Sequence, residues 1–425
     1  MQVRRRITLL LWSLILGCPA HAQQHELDIL VQKPLSQQPT ANRRSATASG
    51  ANGQRPTEGQ RPPVELTANG WYAHLDVTTF LRDAEFSAPQ TPGYTAVGFF
   101  AEPTVQRSIG SFGHATFGLH LASAAGYQGL HTWQPLVRIE CTPNQNLRLV
   151  MGTLYGNLSH GLYEPMLDRE RYIYAHQEEG VQLLAYIKSL RWSTDTWLHW
   201  ENLLEPWQMD QERFTLATSN VITPIAYSSQ DSGFRFQASI PFSFLGSHRG
   251  GQFSALDTCI ESLFTESLGL TLMFDCGSHS SPKLGEVPAG RRSVSISAPF
   301  FFYQDISPVK CQAYDNGYGF WPQMTVDYRT AGFHLLGGAG YWLGHQYIAP
   351  RGGYLFQSVS WDDPDFRQSD RRMATARLAL EYVFTDDFRL GADAEAYYDL
   401  DYRRTDIAFG LYLRYTPILT FKTQQ

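Results

Sequence analysis

Apolar and polar residues alternate with a period of two through most of this chain. Phe117, Leu119 and Leu121 alternate with Thr116, Gly118 and His120. Val137, Ile139 and Cys141 alternate with Arg138 and Glu140. The same rhythm recurs at Val181–Ile187 and Phe234–Ile240, and again at Met324–Tyr328, Ala376–Tyr382, Leu390–Ala396 and Ile407–Tyr415. Successive side chains of a strand point to opposite faces, so each segment has one apolar and one polar face. A helical membrane span needs about 20 consecutive apolar residues, and no such run follows residue 22. A closed outer-membrane β-barrel needs the alternation, because its outer face meets lipid and closure pairs every backbone group. An arginine turned towards lipid at the midplane would cost about 2–4 kcal/mol. A slip of one residue would expose every such charge, so the register is strongly determined.

The connections between these segments are of two kinds. Residues 142–146, 189–190, 330–332 and 385–387 make tight turns, whereas 157–176, 206–230, 304–320 and 346–371 read as long loops. Short periplasmic turns and long extracellular loops alternate in outer-membrane barrels. Hairpins counted on that rule predict an all-β transmembrane antiparallel barrel of about 16 strands, within a range of about 14–18, with both termini in the periplasm. The stretch 277–292 breaks the rule, being long, rich in Pro and Gly, and at the periplasmic end. Aromatics including Trp71, Trp192, Trp200, Trp321, Tyr341 and Trp342 fall near strand ends, as interfacial girdles require.

The N-terminus departs from this pattern. A basic stretch with three arginines, an apolar run and Ala20-His21-Ala22 form a secretory signal peptide over 1–22. Lipid attachment at Cys18 is the rival reading. Residues 23–69 are rich in Pro, Gln, Ser and Thr and bury too little apolar area to fold, which predicts a disordered periplasmic leader. The barrel then occupies 70–421, with a tail at 422–425. Charged residues make up 17%, below the roughly 25% of soluble domains, and the net charge of −6 gives no reason to expect nucleic-acid binding. No Cys pair has metal or redox spacing. Topology brings Cys259 and Cys311 to the same end of neighbouring hairpins, where a disulfide and two free thiols are both open.

The architecture, together with the stretch from Gly152 to Gln182, resembles Gram-negative outer-membrane porin-type barrels of the divergent kind common in Bacteroidota. The resemblance covers about 71–421 and implies an outer-membrane location and a transport role. General porins fold the loop after the fifth strand into the pore. By that resemblance Glu164, Asp168, Arg169, Glu170 and Arg171 form a constriction. The lumen is expected to be lined by Arg138, Glu140, Arg148, Arg235, Asp327, Arg329, Arg377, Glu381, Arg389, Asp393, Glu395 and Arg414, whose mixed signs argue against strong ion selectivity.

These features predict a porin-like channel for passive passage of small hydrophilic solutes, associated with outer-membrane lipid and open to homo-oligomer formation. No cofactor and no metal are expected. The alternative is a non-transporting barrel in surface-polysaccharide handling, adhesion or assembly, with Trp361, Asp362, Asp363 and Asp365 in a long loop. Ser159-His160 suggests a hydrolase, but adjacent strand residues point apart, and no G-x-S-x-G or H-E-x-x-H motif is present. The sequence reading is therefore that the protein is not an enzyme.

Overall fold

The computed structural model describes residues 70–127, 129–174, 177–203, 210–229, 234–251, 259–276, 291–330, 332–385 and 387–421. The strand segments are β1 (Trp71–Glu85), β2 (Tyr94–Ile109), β3 (Gly113–Ala124), β4 (Thr132–Asn144), β5 (Leu147–Thr153) and β6 (Glu179–Ile187). They continue with β7 (Trp192–Asn202), β8 (Arg213–Ser228), β9 (Phe234–Arg249), β10 (Glu261–Cys276), β11 (Arg291–Asp305) and β12 (Asn316–Phe320). The last are β13 (Gln323–Arg329), β14 (Phe333–His345), β15 (Asp370–Thr385), β16 (Phe388–Asp399), β17 (Arg404–Tyr415) and β18 (Ile418–Phe421).

The segments pair antiparallel with their neighbours along the wall, and β1 pairs with β2 on one edge and with β17 and β18 on the other. The sheet is therefore closed. β12 and β13 share the partners β11 and β14, and β17 and β18 share β1. Each of these pairs is one wall strand broken at a proline, Pro322 or Pro417, which has no N–H for the ladder. The barrel thus has sixteen strands, as the hairpin count predicts.

The alternation sorts side chains as expected. Phe117, Ile139 and Leu378 are 51%, 55% and 54% exposed on the outer wall, whereas Thr116, Arg138 and Glu381 are buried inside. Cysteines placed at 117, 139 and 378 should react with a lipid-soluble probe several-fold faster than cysteines at 116, 138 and 381. Equal labelling of the two sets would contradict the register.

Two loop assignments need correction. The stretch 206–230 contains β8, and 304–320 ends in β12. β8 lacks a clean apolar face because Thr218 and Asn220 point outwards. They are satisfied in the wall itself: Asn220 donates to Thr218 at 2.9 Å, Trp192 Nε1 donates to Asn220 at 3.0 Å, and Thr196 meets Thr218 at 2.8 Å. Cys259 and Cys311 are joined in a disulfide, and Cys141 is free. The signal peptide, Cys18, the leader, most of the 277–292 connection and the tail lie outside the described residues.

Candidate functional site

The two longest described connections, 154–178 and 346–369, turn into the barrel. Leu154, Leu162, Met166 and Leu167 from the first meet Tyr347, Ile348, Leu355 and Phe356 from the second. Around them stand inward side chains of ten wall strands, among them Val150, Trp197, Phe301, Trp342 and Tyr397. Burial of each large apolar side chain contributes about 1.5–3 kcal/mol. The loops are also bonded to each other: Tyr347 Oη donates to Pro165 O at 3.0 Å, and Gly353 N donates to Glu164 O at 2.9 Å. At Gly352 an added Cβ would lie 2.0 Å from Pro165 O, so only glycine admits this approach.

The five residues expected at a constriction all lie in this inward loop. Glu164 is held by Arg377 at 2.9 Å and by Tyr397 Oη at 2.9 Å, with Arg169 3.5 Å away. Glu170 meets Arg82 at 2.5 Å. Asp168 accepts from Glu170 N at 3.0 Å, and Arg171 stands 3.9 Å from Glu178. Carboxylates of the loop therefore do face arginines of the wall.

The expected lumen residues are all on the inner face and largely neutralise each other. Arg148 pairs with Glu140 at 3.2 Å, Arg329 with Asp327 at 3.0 Å and Arg389 with Glu381 at 3.3 Å. Arg414 pairs with Asp76 at 2.5 Å, Arg235 lies 4.0 Å from Asp275, and Arg138 donates to Thr153 O at 2.7 Å. Asp393 and Glu395 both bind Arg82, at 2.7 and 3.1 Å. Arg82 and the fully buried Arg371, which holds Asp399 at 2.8 Å and Leu355 O at 2.5 Å, were not singled out by the sequence pattern. Only the pairing register across the closed wall reveals what they serve.

His160 pins the first loop. Its Nδ1 lies 2.8 Å from Asp195 and its Nε2 2.8 Å from Glu178, and the ring stacks on Trp197 at 3.5 Å. Burial alone would lower the imidazole pKa, but the carboxylates of Asp195 and Glu178 overcome it and hold it up to about 9. Burial would raise Glu178, yet His160 keeps it well below the usual carboxylate range. With both nitrogens engaged, His160 has no free lone pair for a neighbouring hydroxyl. Ser159 Oγ donates instead to Gly156 O at 2.7 Å, so the Ser159-His160 pair is not a nucleophile and its base.

The pin carries a pH dependence. A raised folded-state pKa contributes stability that is full below the ordinary value of 6.5 and lost as pH rises through about 9. The depressed Glu178 adds stability above its ordinary range and so does not offset that loss near pH 9. Trp197 emission should change between pH 7 and pH 10 in the parent and stay flat over that range in H160N.

The outer wall holds a different grouping at its extracellular rim. His248 near the end of β9 and Ser262 near the start of β10 are directly opposite in the ladder. Their neighbours on the same strand faces, Phe244 and Phe264, have ring centres 5.1 Å apart, and Phe264 is followed two residues on by the exposed Glu266 and then Leu268, 54% exposed, so the pair lies on the lipid-facing side. His248 Nδ1 is 2.9 Å from Ser262 Oγ, and its Nε2 is 2.7 Å from Gly250 O. Phe214 packs 5.0 Å from the His248 ring and stacks on Trp200 at 5.2 Å. Further round the wall, Tyr318 of β12, Leu343 and His345 of β14, Arg372 of β15 and Asp401 after β16 line a cleft on the same rim. Arg372 Nε donates to Asp401 at 2.9 Å there, and the Tyr318 and His345 rings lie 5.1 Å apart.

A family model described as lipid A 3'-O-deacylase-type matches residues 64–424. The chain belongs to the lipid A 3'-O-deacylase-type family. That membership overturns the expectation of a non-enzymatic protein, because the family is one of outer-membrane enzymes. Short linear motifs were a poor guide here, since side chains on different strands meet only through register. No curated relative matches this deacylase-type chain. Among solved structures it is similar to OmpT of Vibrio cholerae lacking loop L8, at 10% identity and a TM-score of 0.46, over 82% of this chain and 100% of that one. It is also similar to OprB of Pseudomonas putida, at 9% identity and a TM-score of 0.47, over 82% and 94%.

Proposed function

We propose that this protein is an outer-membrane hydrolase that removes an ester-linked acyl chain from lipid A. The observation that carries the reading is family membership over residues 64–424. Two features of the barrel support it. Inward loops occupy the lumen with buried apolar side chains, so the outer wall is the surface in direct contact with the lipid leaflet. A cleft on that wall at the rim is lined by Tyr318, His345 and Arg372 together with Asp370 and Asp401, which places polar groups at headgroup depth. The test is to incubate the purified, folded barrel with lipid A in mixed micelles and follow the mass spectrum. Loss of one ester-linked fatty acid, with the amide-linked chains retained, is expected. Lipid A of unchanged mass after prolonged incubation with folded protein would refute the reading.

A second reading is passive passage of small hydrophilic solutes. It is favoured by the charged side chains, such as Arg148, Arg329 and Arg389, that stand on the inner face of the sixteen-strand wall beside the packed loops. On this reading Glu164, Asp168, Arg169, Glu170 and Arg171 form the narrowest section and the paired lumen charges line the path. Stepwise conductance of the purified protein in planar bilayers would support it; an electrically silent, folded barrel would not.

A further inference from the structure

We propose that the outer face of β7 and β8 is where a second copy of this barrel docks within the membrane, through a polar block on an otherwise apolar stretch of wall. The proposal does not depend on the hydrolase reading.

Register assembles the block. The outward row of β7 runs Trp192, Thr194, Thr196, Leu198 and Trp200, and that of β8 runs Phe214, Leu216, Thr218 and Asn220. Thr196 lies opposite Thr218 and Thr194 opposite Asn220, so four polar side chains stand together. Apolar residues flank them on both sides. Leu183 and Ala185 of β6 lie opposite Thr196 and Thr194, and Phe244 and Phe242 of β9 lie opposite Thr218 and Asn220.

Depth makes the block costly. Trp192 and Trp200 close the β7 row at its periplasmic and extracellular ends, as girdle residues do. At the usual strand rise and tilt they stand about 20 Å apart along the membrane normal. Thr194 and Thr196 lie between them, inside the apolar band, which is about 25 Å tall.

Each side chain of the block has a partner, but donors outnumber bonds. Trp192 Nε1 can only donate, which turns Asn220 Oδ1 towards it at 3.0 Å and the Asn220 amide nitrogen towards Thr218 Oγ1 at 2.9 Å. Thr218 meets Thr196 at 2.8 Å, and Thr196 meets Thr194 at 3.2 Å. Three hydroxyls, the indole N–H and the two amide N–H groups carry six donors, and these four bonds use four of them. One amide N–H and one hydroxyl proton have no acceptor among the described residues. Asn220 is buried, whereas the three threonines are half-buried and reach the surface of the wall. Acyl chains offer no acceptor there, and water is absent at that depth.

Whatever covers the block must supply acceptors at the same depth. A two-fold axis along the membrane normal keeps every residue at its own depth, so the block of one barrel meets the block of the other. The match is self-complementary, because the hydroxyl oxygens keep lone pairs for the partner's spare proton. Threonine is small enough for two walls to approach closely, and hydroxyl and amide side chains hold membrane-embedded segments together in this way. The exposed Leu183 and Leu216 then pack around the polar centre.

The test uses the full-length protein in liposomes over a series of protein-to-lipid ratios, shown to be folded by its heat-modifiable mobility. In a C141S background, single cysteines are placed by T196C and T218C, and by I139C on a distant strand. Oxidation is expected to give a disulfide-linked dimer from the first two and none from the third. Subunit counting by single-molecule photobleaching should find the parent as dimers. In T196V/T218V/N220L, which keeps an apolar surface of similar shape, dimerisation should weaken at least about tenfold. A folded parent that is monomeric at every ratio overturns the proposal. So does linkage at 139 as strong as at 196 and 218, or dimerisation undiminished in the triple variant. A product linked through 196 or 218 to a different protein in native membranes, with no self-linked dimer, also overturns it.

Discussion

Replacing Arg82 with alanine should cost about 3–5 kcal/mol of stability, the range found when one partner of a buried ionic group is removed. Arg82 is 3% exposed and holds Glu170 at 2.5 Å, Asp393 at 2.7 Å and Glu395 at 3.1 Å. Its loss leaves three carboxylates facing one another, with Arg377, 2.6 Å from Glu395, and the nearby Arg169 compensating in part. Urea unfolding followed by tryptophan emission measures the change. Adding D393N and E395Q to R82A should recover part of the loss, because the uncompensated charge then disappears. A shift under about 1 kcal/mol in R82A would mean that water or rearrangement satisfies the carboxylates.

The second large effect is expected at His160. In H160A the carboxylates of Glu178 and Asp195 lose their shared cation inside the barrel, and Trp197 loses the ring stacked on it. The cost should again be about 3–5 kcal/mol, but local, releasing the 154–178 loop rather than the wall. Limited proteolysis should cut within that loop in H160A and spare it in the parent. Retained protection together with unchanged Trp197 emission would show that the loop's apolar packing suffices without the pin.

The wall was legible in the sequence wherever one face had to meet lipid. The segments around Leu119, Ile139, Leu378 and Leu411 fixed their own orientation, since the wrong face would carry arginine or glutamate into hydrocarbon. β8 was not legible, because Thr218 and Asn220 face outwards and are satisfied by Thr196 and Trp192, partners on another strand. The inward fold of 154–178 was suggested by resemblance, and its acidic side chains do meet arginines. The matching role of 346–369 gave no signal: Tyr347, Ile348, Leu355 and Phe356 have neither period, and their burial depends on an opposite loop. His248 and Ser262 lie 14 residues apart along the chain. Nothing local distinguishes them from other serines and histidines until the β9–β10 register brings them together.

The filled lumen has a mechanical consequence. An empty hoop of sixteen strands is wide and can flatten under lateral pressure from the bilayer. Here Met166, Tyr347, Phe356 and Trp342, none of them exposed to solvent, act as a hub from which inward side chains run like spokes to the rim. A braced wheel keeps its curvature, and curvature sets the spacing of side chains on its outside. Loosening the hub, for instance by a bulkier residue at Gly352, would therefore be felt on the far side of the wall, at the gap between two neighbouring strands facing the leaflet. Any lipid that reaches that gap arrives sideways, by diffusion in two dimensions, so its encounter rate follows its share of the leaflet rather than its concentration in water.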